Sequence, residues 1–415
     1  MEFAFGFTVF LLIGFALGNE IFSEETIAAF NLDFENEILG GNIADSFNVM
    51  DYGAVGNGIA DDSQAFIKAW KGVCGAKVGG TIATLVVPQG KTFLVNLLEF
   101  EGPCQAKSIH VQLEGTLIAP ETTSWENGQT GAWINFKSVD NLILDGGGKI
   151  DGRGSNWWQP CKKTSTFGIL LACNDRPGAL FFHNCNGLRL KGLTHLDSPK
   201  RHIGINGCKD VVVSDLLIKA PEDSPNTDGI DISDSTNVLI QDSTIETGDD
   251  CVAINGGSSF INVTGVNCGP GHGIRSLFIA MITIFKILTH FASEMEELMT
   301  LLRKKISFEN ILLNNVDNPI IINQFYQDKG KLRSYGLFGK ASAIEVSDVT
   351  YSDIQGTSAS KQAIDLNCDN VVGCTNIVMK NIHITASADA PQIYSFCNNA
   401  HGTAFDVSPK VTCLS

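Results

Sequence analysis

The sequence predicts an all-β protein whose short strands wind into a single-stranded, right-handed parallel β-helix. From about residue 140, short apolar runs with a period of two recur between turn residues, and no long amphipathic helix separates them. The spacing of the runs agrees, because their leading apolar positions, 188, 211, 238 and 261, recur at nearly even intervals. Repeats of about 20 to 30 residues without crossover helices are typical of a solenoid of stacked coils.

The recurrent runs share one pattern, in which a polar residue or glycine precedes alternating apolar residues. They read NLILD from Asn141, GLRLK from Gly187, DVVVS from Asp210, NVLIQ from Asn237 and NIVMK from Asn376. Glycine, a common turn residue, accounts for 42 of the 415 residues. Because a solenoid grows by adding coils, we expect residues 46–415 to form one domain.

An amphipathic segment lies near the start of this domain. Asp62 to Val73 follows acidic residues that can cap a helix and carries Phe66 and Trp70 on one face. Since the exposed end of a solenoid must be covered, this segment predicts a helix that closes the N-terminal end.

The N-terminus indicates export. Phe3 to Leu17 form an uncharged apolar run followed by Gly18, which predicts a secretory signal peptide over residues 1–18. An uncleaved membrane anchor is the alternative, because Glu2 but no Lys or Arg precedes the run. We expect residues 19–45 to be a poorly ordered segment, and the mature chain to be secreted and monomeric.

The cysteines agree with export. Twelve cysteines without a CxxC pair or zinc-finger spacing predict several disulfides and no metal site. Pairs close in sequence are expected first, namely Cys251 with Cys268, Cys368 with Cys374 and Cys397 with Cys413. The sequon at Asn262 predicts a glycan on a secreted surface.

Composition excludes two classes of protein. With 44% apolar residues the chain is not disordered. With 45 acidic against 29 basic side chains, a net charge of −16 and no run of Lys and Arg, it does not bind nucleic acid without regard to sequence.

One stretch, residues 275–305, departs from the pattern of the repeat. It lacks Gly, Pro, Asn, Asp and Cys, and its apolar pattern predicts a helix where the repeat requires a strand and a turn. Two interpretations remain open: an insertion packed on the solenoid, or native coil sequence replaced through an error in the gene model.

Acidic and basic motifs recur one coil apart. Asp228 lies in Asn226-Thr-Asp228, the pair Asp249 and Asp250 lies about one repeat later, and His272 lies about one repeat after that pair. On adjacent coils, roughly 4.8 Å apart, these side chains meet on one face. Like charges so close raise the pKa of at least one carboxyl, which places an acid beside a base, as glycoside hydrolysis requires. The alternative is structural, because Asp, Asn and Gly are ordinary turn residues and stacked Asn or Asp can satisfy backbone groups.

These motifs resemble the plant branch of the polygalacturonases, glycoside hydrolase family 28. The resemblance rests on Asn226-Thr-Asp228, Gly248-Asp249-Asp250 and Gly271-His272-Gly273, and extends from about Asn48 to Ser415. It is supported by Asp51-Tyr-Gly-Ala, Trp157-Trp158, Ser198-Pro199, Ser224-Pro225, Cys251-Val-Ala-Ile and Asn318-Pro-Ile-Ile-Ile322. The resemblance implies a pectin-lyase-like β-helix that hydrolyses α-1,4-galacturonosyl bonds of pectin with inversion, in the plant cell wall and without a cofactor.

The same resemblance assigns roles to individual residues. It implies that Asp249 is the general acid, that Asp228 and Asp250 are bases that activate water, and that His272 supports the protonation of the acid. It also implies that Asn226 and Tyr326 contact the substrate.

Two departures from the family pattern predict impaired activity. The Arg-Ile-Lys motif that binds the galacturonate carboxylate is absent; the basic triplet 303–305 has suitable charge but abuts a segment that matches the following strand. Gln327 replaces a common cysteine. The alternatives are therefore a non-catalytic pectin-binding or degenerate homologue, a hydrolase of rhamnogalacturonan or xylogalacturonan, and a calcium-dependent lyase.

Overall fold

The computed structural model describes residues 45–77, 82–121, 131–158, 176–277, 305–324, 346–388 and 392–415. Within them every strand pair is parallel and joins one coil to the next, and the strands belong to one compact unit, Asp45–Ser415. The right-handed parallel β-helix predicted from the sequence is confirmed. The predicted signal peptide, residues 19–44, Tyr326 and most of the stretch 275–305 lie outside the described residues.

The strands, numbered in chain order, form three columns that we call faces A, B and C. Face A contains β1 Asp45–Asn48, β3 Ile82–Val87, β6 Ser108–Leu113, β9 Leu142–Asp145, β12 Arg189–Lys191, β15 Lys209–Ser214, β18 Thr236–Gln241 and β21 Ser259–Thr264. Face B contains β2 Asn57–Asp61, β4 Thr92–Leu94, β7 Thr116–Ile118, β10 Lys149–Asp151, β13 Thr194–Leu196, β16 Leu217–Lys219, β19 Thr244–Glu246 and β22 Asn267–Cys268.

Face C carries the motifs. It contains β5 Leu98–Glu101, β8 Ala132–Lys137, β11 Gly178–His183, β14 Ile203–Asn206, β17 Ile230–Ser233, β20 Asp250–Ile254, β23 Gly271–Leu277, β26 Gln362–Asn367 and β28 Tyr394–Asn398. Four long strands continue around the corners between faces: β24 Ile306–Asn323, β25 Val346–Ser358, β27 Cys374–Ala386 and β29 Ala400–Ser408.

The core consists of apolar side chains that stack from coil to coil. On face C one such column is formed by Ile203, Ile230, Val252, Ile274, Ile320 and Ile364, each in register with the next and each fully buried. Since alternate residues of a strand point to opposite sides, this register leaves the intervening residues of face C on the outside of the coil.

A helix covers the N-terminal end, as predicted. Helix α1, Ser63–Cys74, buries Phe66, Trp70 and Val73 against the first coils, and the Trp70 ring lies 4.8 Å from that of Phe100. The expected side-chain cap is absent at Asp62, whose carboxylate instead accepts hydrogen bonds from the backbone of residues 55 and 56. Two shorter helices are the 3₁₀ turn Val49–Tyr52 and α2, Ser155–Trp158.

The three expected disulfides form, between Cys251 and Cys268, Cys368 and Cys374, and Cys397 and Cys413. A fourth, not predicted, joins Cys74 at the end of α1 to Cys104. Cys185 and Cys208 are free and buried, and the other two cysteines lie outside the described residues. The cross-links confirm a disulfide-bonded chain.

The sequon does not lie on the surface, contrary to the expectation from sequence. Asn262 is 6% exposed, and its Oδ1 accepts a hydrogen bond from Ser307 Oγ on the next coil. Its neighbours Ile261 and Val263 point into the core, so the alternation of the strand places Asn262 on the opposite side of the sheet, where its side chain is nevertheless covered. In the described residues no helix is long and apolar enough to cross a membrane.

The strands on either side of the atypical stretch pair directly. Ile261 of β21 is in register with Ile306 of β24, and Ile274 of β23 with Ile320. The stretch does not separate these coils. Residues 275–277, at the start of the stretch, continue β23 and do not form the expected helix.

We expect the substitution Ile203→Ala to lower the free energy of unfolding by about 2 to 5 kcal/mol, because it opens a cavity between Leu180 and Ile230. Ile59→Ala is the matched control, since Ile59 is 81% exposed and its truncation costs less than about 0.5 kcal/mol. Urea unfolding measures both variants, and equal losses contradict the role of the stacked column.

Candidate active site

The predicted residues stand at the beginning of three successive face C strands. Asp228 precedes β17 by two residues, Asp250 is the first residue of β20, and His272 is the second residue of β23. Asp250 and His272 are direct partners in the parallel ladder. Adjacent strands are about 4.8 Å apart, so the backbone itself holds these side chains within reach of one another.

Turn residues fix the approach to these strands. Ser224 Oγ and Thr227 Oγ1 are hydrogen-bonded at 2.6 Å, and Thr227 Oγ1 accepts from the backbone N–H of Gly248 at 3.0 Å. A Cβ on Gly248 would lie 2.2 Å from the carbonyl oxygen of Ser224. Gly271 has φ of 102°, and a Cβ there would lie 2.3 Å from the carbonyl oxygen of Thr247. The glycines of the motifs therefore allow the turns to pack closely enough to bring the acids together.

His272 bridges the pair of adjacent carboxylates. Its Nδ1 lies 2.8 Å from Asp249 Oδ1 and 3.4 Å from Asp250 Oδ1. These two contacts raise the pKa of His272 to about 10, although burial acts in the opposite direction. At neutral pH the side chain is therefore an imidazolium that donates Nδ1–H to Asp249.

The surroundings shift the pKa values of Asp249 and Asp228 in opposite directions. Burial opposes the charge of Asp249, but the hydrogen bond and charge of His272 and the charge of Arg275 hold its pKa below the usual value. Burial and the charges of Asp231, Asp249 and Asp250 raise the pKa of Asp228 well above the usual value. The surroundings thus favour a proton on Asp228 over one on Asp249, whereas the resemblance implies that Asp249 is the acid.

Asp250 is the most enclosed member, with a side chain that is 0% exposed. Burial raises its pKa, while His272 and Arg275 act to lower it. The guanidinium of Arg275 contacts Asp250 Oδ2 directly. The sequence pattern placed Arg275 in the atypical stretch, and for that reason its contact with Asp250 was not predicted.

Asn226 orients the site from the adjoining turn. It has φ of 54°, and its Nδ2 lies 3.4 Å from Asp249 Oδ2. Its Oδ1 accepts a hydrogen bond of 2.8 Å from Arg176 Nη2. Asn226 is exposed and faces solvent beside the acids, whereas Tyr326, the other predicted contact, lies outside the described residues.

Arg176 is a second residue that the sequence did not point to. It is 1% exposed, and its Nη1 donates to the carbonyl oxygens of Pro199 at 2.7 Å and Pro225 at 2.8 Å. Burial lowers the pKa of Arg176 to about 10, although Asp228 and Asp249 act to raise it. An isolated arginine carries no spacing signal; the bonds that it makes depend on turns one and two coils away.

The acids could also attract a metal ion. Asp249, Asp250 and His272 each offer a ligand atom, and these atoms lie within 4.8 Å of one another. The protonated His272 and Arg275 already supply positive charge to the two carboxylates. We therefore assign no metal to this cluster.

We expect Arg176→Gln to reduce the free energy of unfolding by about 3 kcal/mol, because two buried carbonyl groups lose their donors. Arg189→Gln is the matched control, since Arg189 Nη1 also donates to two backbone carbonyls, of Leu188 and Asp210, but is only partly buried. Its loss should remain below about 1 kcal/mol. Chemical denaturation compares the two, and an equal effect contradicts a special role for Arg176.

The contribution of the His272 pair to stability should depend on pH. Because the pKa of His272 is raised to about 10, its stabilisation is complete below about pH 6.5 and fades as the pH approaches 10. The lowered pKa of Asp249 removes stabilisation as the pH falls below about 4. His272→Gln should therefore lower Tm most near pH 5 to 6 and least near pH 10. A decrease in Tm that is constant from pH 5 to 10 would contradict this linkage.

Comparisons with known proteins agree on the family. The family model described as glycosyl hydrolases family 28 matches residues 74–277 and 296–411. A protein of Arabidopsis thaliana named "Probable polygalacturonase" is 41% identical over 391 residues, covering 89% of this chain and 81% of its own length. Polygalacturonase-2 of Solanum lycopersicum is 35% identical over 383 residues, covering 88% and 81%.

A solved structure shares the fold. The endo-xylogalacturonan hydrolase of Aspergillus tubingensis superimposes with a TM-score of 0.60 at 21% identity, covering 86% of this chain and 96% of its own. The segment left unmatched by the family model, residues 278–295, falls within the atypical stretch. With a match over most of its length and relatives above one-third identity, this chain belongs to the glycosyl hydrolases family 28.

Proposed function

We propose that this chain is a polygalacturonase that hydrolyses α-1,4-galacturonosyl bonds of pectin with inversion. The observation that carries the proposal is the cluster at the start of β17, β20 and β23, where three aspartates and an imidazolium lie together. The family match and the polygalacturonase relatives support the same activity.

The proposed mechanism uses the proton that the cluster already holds. We assign Asp249 as the acid that protonates the leaving oxygen, and Asp228 and Asp250 as bases toward the attacking water. We propose that Asp228 holds the carboxyl proton, because burial and its acidic neighbours raise its pKa, while His272 donates a hydrogen bond to Asp249. When Asp228 passes this proton to Asp249, Asp249 becomes the protonated acid. Asp228 becomes a carboxylate that can accept a proton from water. The proton given to the leaving oxygen is then replaced by the proton taken from water.

Recognition of the substrate must overcome an unfavourable overall charge. Pectin is a polyanion and the chain has a net charge of −16, so binding depends on local cations. The missing Arg-Ile-Lys motif has no evident replacement in the described residues: Lys305 leads into the part of β24 that pairs on face A, away from the cluster on face C. Arg201, one-third exposed, is paired with Asp231 at 3.3 Å. We therefore expect turnover to be impaired.

The remaining assignments concern the environment of the protein. We propose that residues 1–18 are removed as a signal peptide, that the domain 46–415 acts as a monomer, and that the protein is secreted into the cell wall. The apolar N-terminal run and the disulfides support export.

The decisive experiment compares the purified chain with Asp249→Asn on polygalacturonate. Release of reducing ends should fall by about 10²-fold or more in Asp249→Asn, because the acid is lost, while binding of the polymer is retained. Asp215→Asn is the matched control, since Asp215 is half exposed and pairs with Lys191 on the corner between faces A and B. It should leave the rate unchanged.

The same experiment separates the alternatives. Binding without hydrolysis in the unmodified chain indicates a non-catalytic or degenerate homologue. Cleavage of rhamnogalacturonan or xylogalacturonan alone indicates a related hydrolase. A product that absorbs ultraviolet light and requires calcium indicates a lyase and contradicts the proposal.

A further inference from the structure

Arg275 lies inside the cluster although no motif includes it. It belongs to β23, three residues after His272, and is in register with Ala253 of β20 and Ile321 of β24. Its side chain is 14% exposed, and Nη2 contacts Oδ2 of the fully buried Asp250. A cation this enclosed is held by a specific partner, not by solvent.

The surroundings of Asp250 explain why a cation is needed there. His272 approaches its Oδ1 at 3.4 Å, but the shorter contact of His272, at 2.8 Å, is with Asp249. Arg275 is therefore the side chain that contacts Oδ2, the second carboxylate oxygen of Asp250. The charged groups that act on Asp250 from its own strand and the two neighbouring coils are Asp228, Asp231, Asp249, His272 and Arg275.

The register leaves room for this contact. Ala253 stands between Asp231 on the preceding coil and Arg275 on the following coil, and all three face the same side of the sheet. Ala253 is 2% exposed and carries only a methyl group. The small side chain of Ala253 thus lies in register between the two charged residues.

We propose that Arg275 is a positioning residue that fixes the carboxylate of Asp250 beside His272 and keeps it ionised as a proton acceptor. The guanidinium replaces the solvation that burial removes, and it holds one oxygen so that the other remains turned toward the imidazolium. The catalytic consequence rests on the proposed function, because it concerns a base toward water; the effect on the charge of Asp250 does not.

The proposal predicts a pH-dependent loss of stability when the cation is removed. In Arg275→Gln the buried Asp250 carboxyl prefers its protonated form, so the folded chain binds more protons than the unfolded chain above about pH 4. Stability then falls as the pH rises. Arg275→Lys keeps the charge at this position and serves as the matched control.

The test measures Tm at pH 4.5 and 7.5 for the full chain and for both variants. We expect the decrease in Tm caused by Arg275→Gln to be larger at pH 7.5 than at 4.5, by at least about 3 °C, and Arg275→Lys to recover most of that difference. In an Asp250→Asn background, Arg275→Gln should lose this dependence on pH. The same decrease at both pH values would overturn the proposal and indicate packing alone.

A kinetic readout connects the effect to catalysis. If the chain hydrolyses polygalacturonate, the acid limb of kcat/KM should move to higher pH by about one unit in Arg275→Gln and remain in place in Arg275→Lys. An unmoved limb in Arg275→Gln contradicts the catalytic part of the proposal. If no hydrolysis is detected, the proposed function fails, while the Tm comparison still decides the role of Arg275.

Discussion

The backbone ladder between adjacent coils is the constraint on which the site depends. Each parallel pairing fixes the register of one strand against the next, and on face C this aligns Ile230 with Val252 and Val252 with Ile274. The stacked apolar column holds the register, since a slip of one residue would turn these side chains outward. The same register brings the acids and the histidine to one level of the coil. Folding and the assembly of the site are therefore one event.

Several acids on adjacent coils repel one another, and nearby cationic side chains reduce this repulsion. Burial disfavours charge, and neighbouring carboxylates repel one another, and both effects raise the pKa of Asp228. His272 and Arg275 each neutralise one of the remaining carboxylates, Asp249 and Asp250. The buried Arg176 donates hydrogen bonds to the backbone carbonyls of Pro199 and Pro225, which connects the two turns. The arrangement keeps acidic and basic forms side by side, which general acid–base catalysis requires.

Among the described residues, the arginines beside the cluster are buried or already paired with acids. Arg176 is buried, and Arg201 and Arg275 contact Asp231 and Asp250. The strands on either side of the atypical stretch pair directly, so the coils continue without a rung between them. The three aspartates and His272 thus lie together, while the Arg-Ile-Lys motif that the family resemblance leads us to expect beyond His272 is absent from the sequence.

The sequence by itself determined the fold and the family, because the spacing of short apolar runs predicts the fold and short motifs indicate the family. The intervals between the leading apolar positions of the repeat equal the offsets of the pairs Arg189 with Val212, Val211 with Val238 and Val238 with Ile261. Spacing also brought out the acidic motifs, since equal offsets place residues on the same side of successive coils. Only the tertiary structure decided which carboxyl has a raised pKa and which a lowered one, that Arg176 and Arg275 lie beside the acids, and that Asn262 is buried. Burial and charge pairing depend on neighbours that are distant in sequence. A local sequence pattern therefore cannot predict which residues these neighbours are.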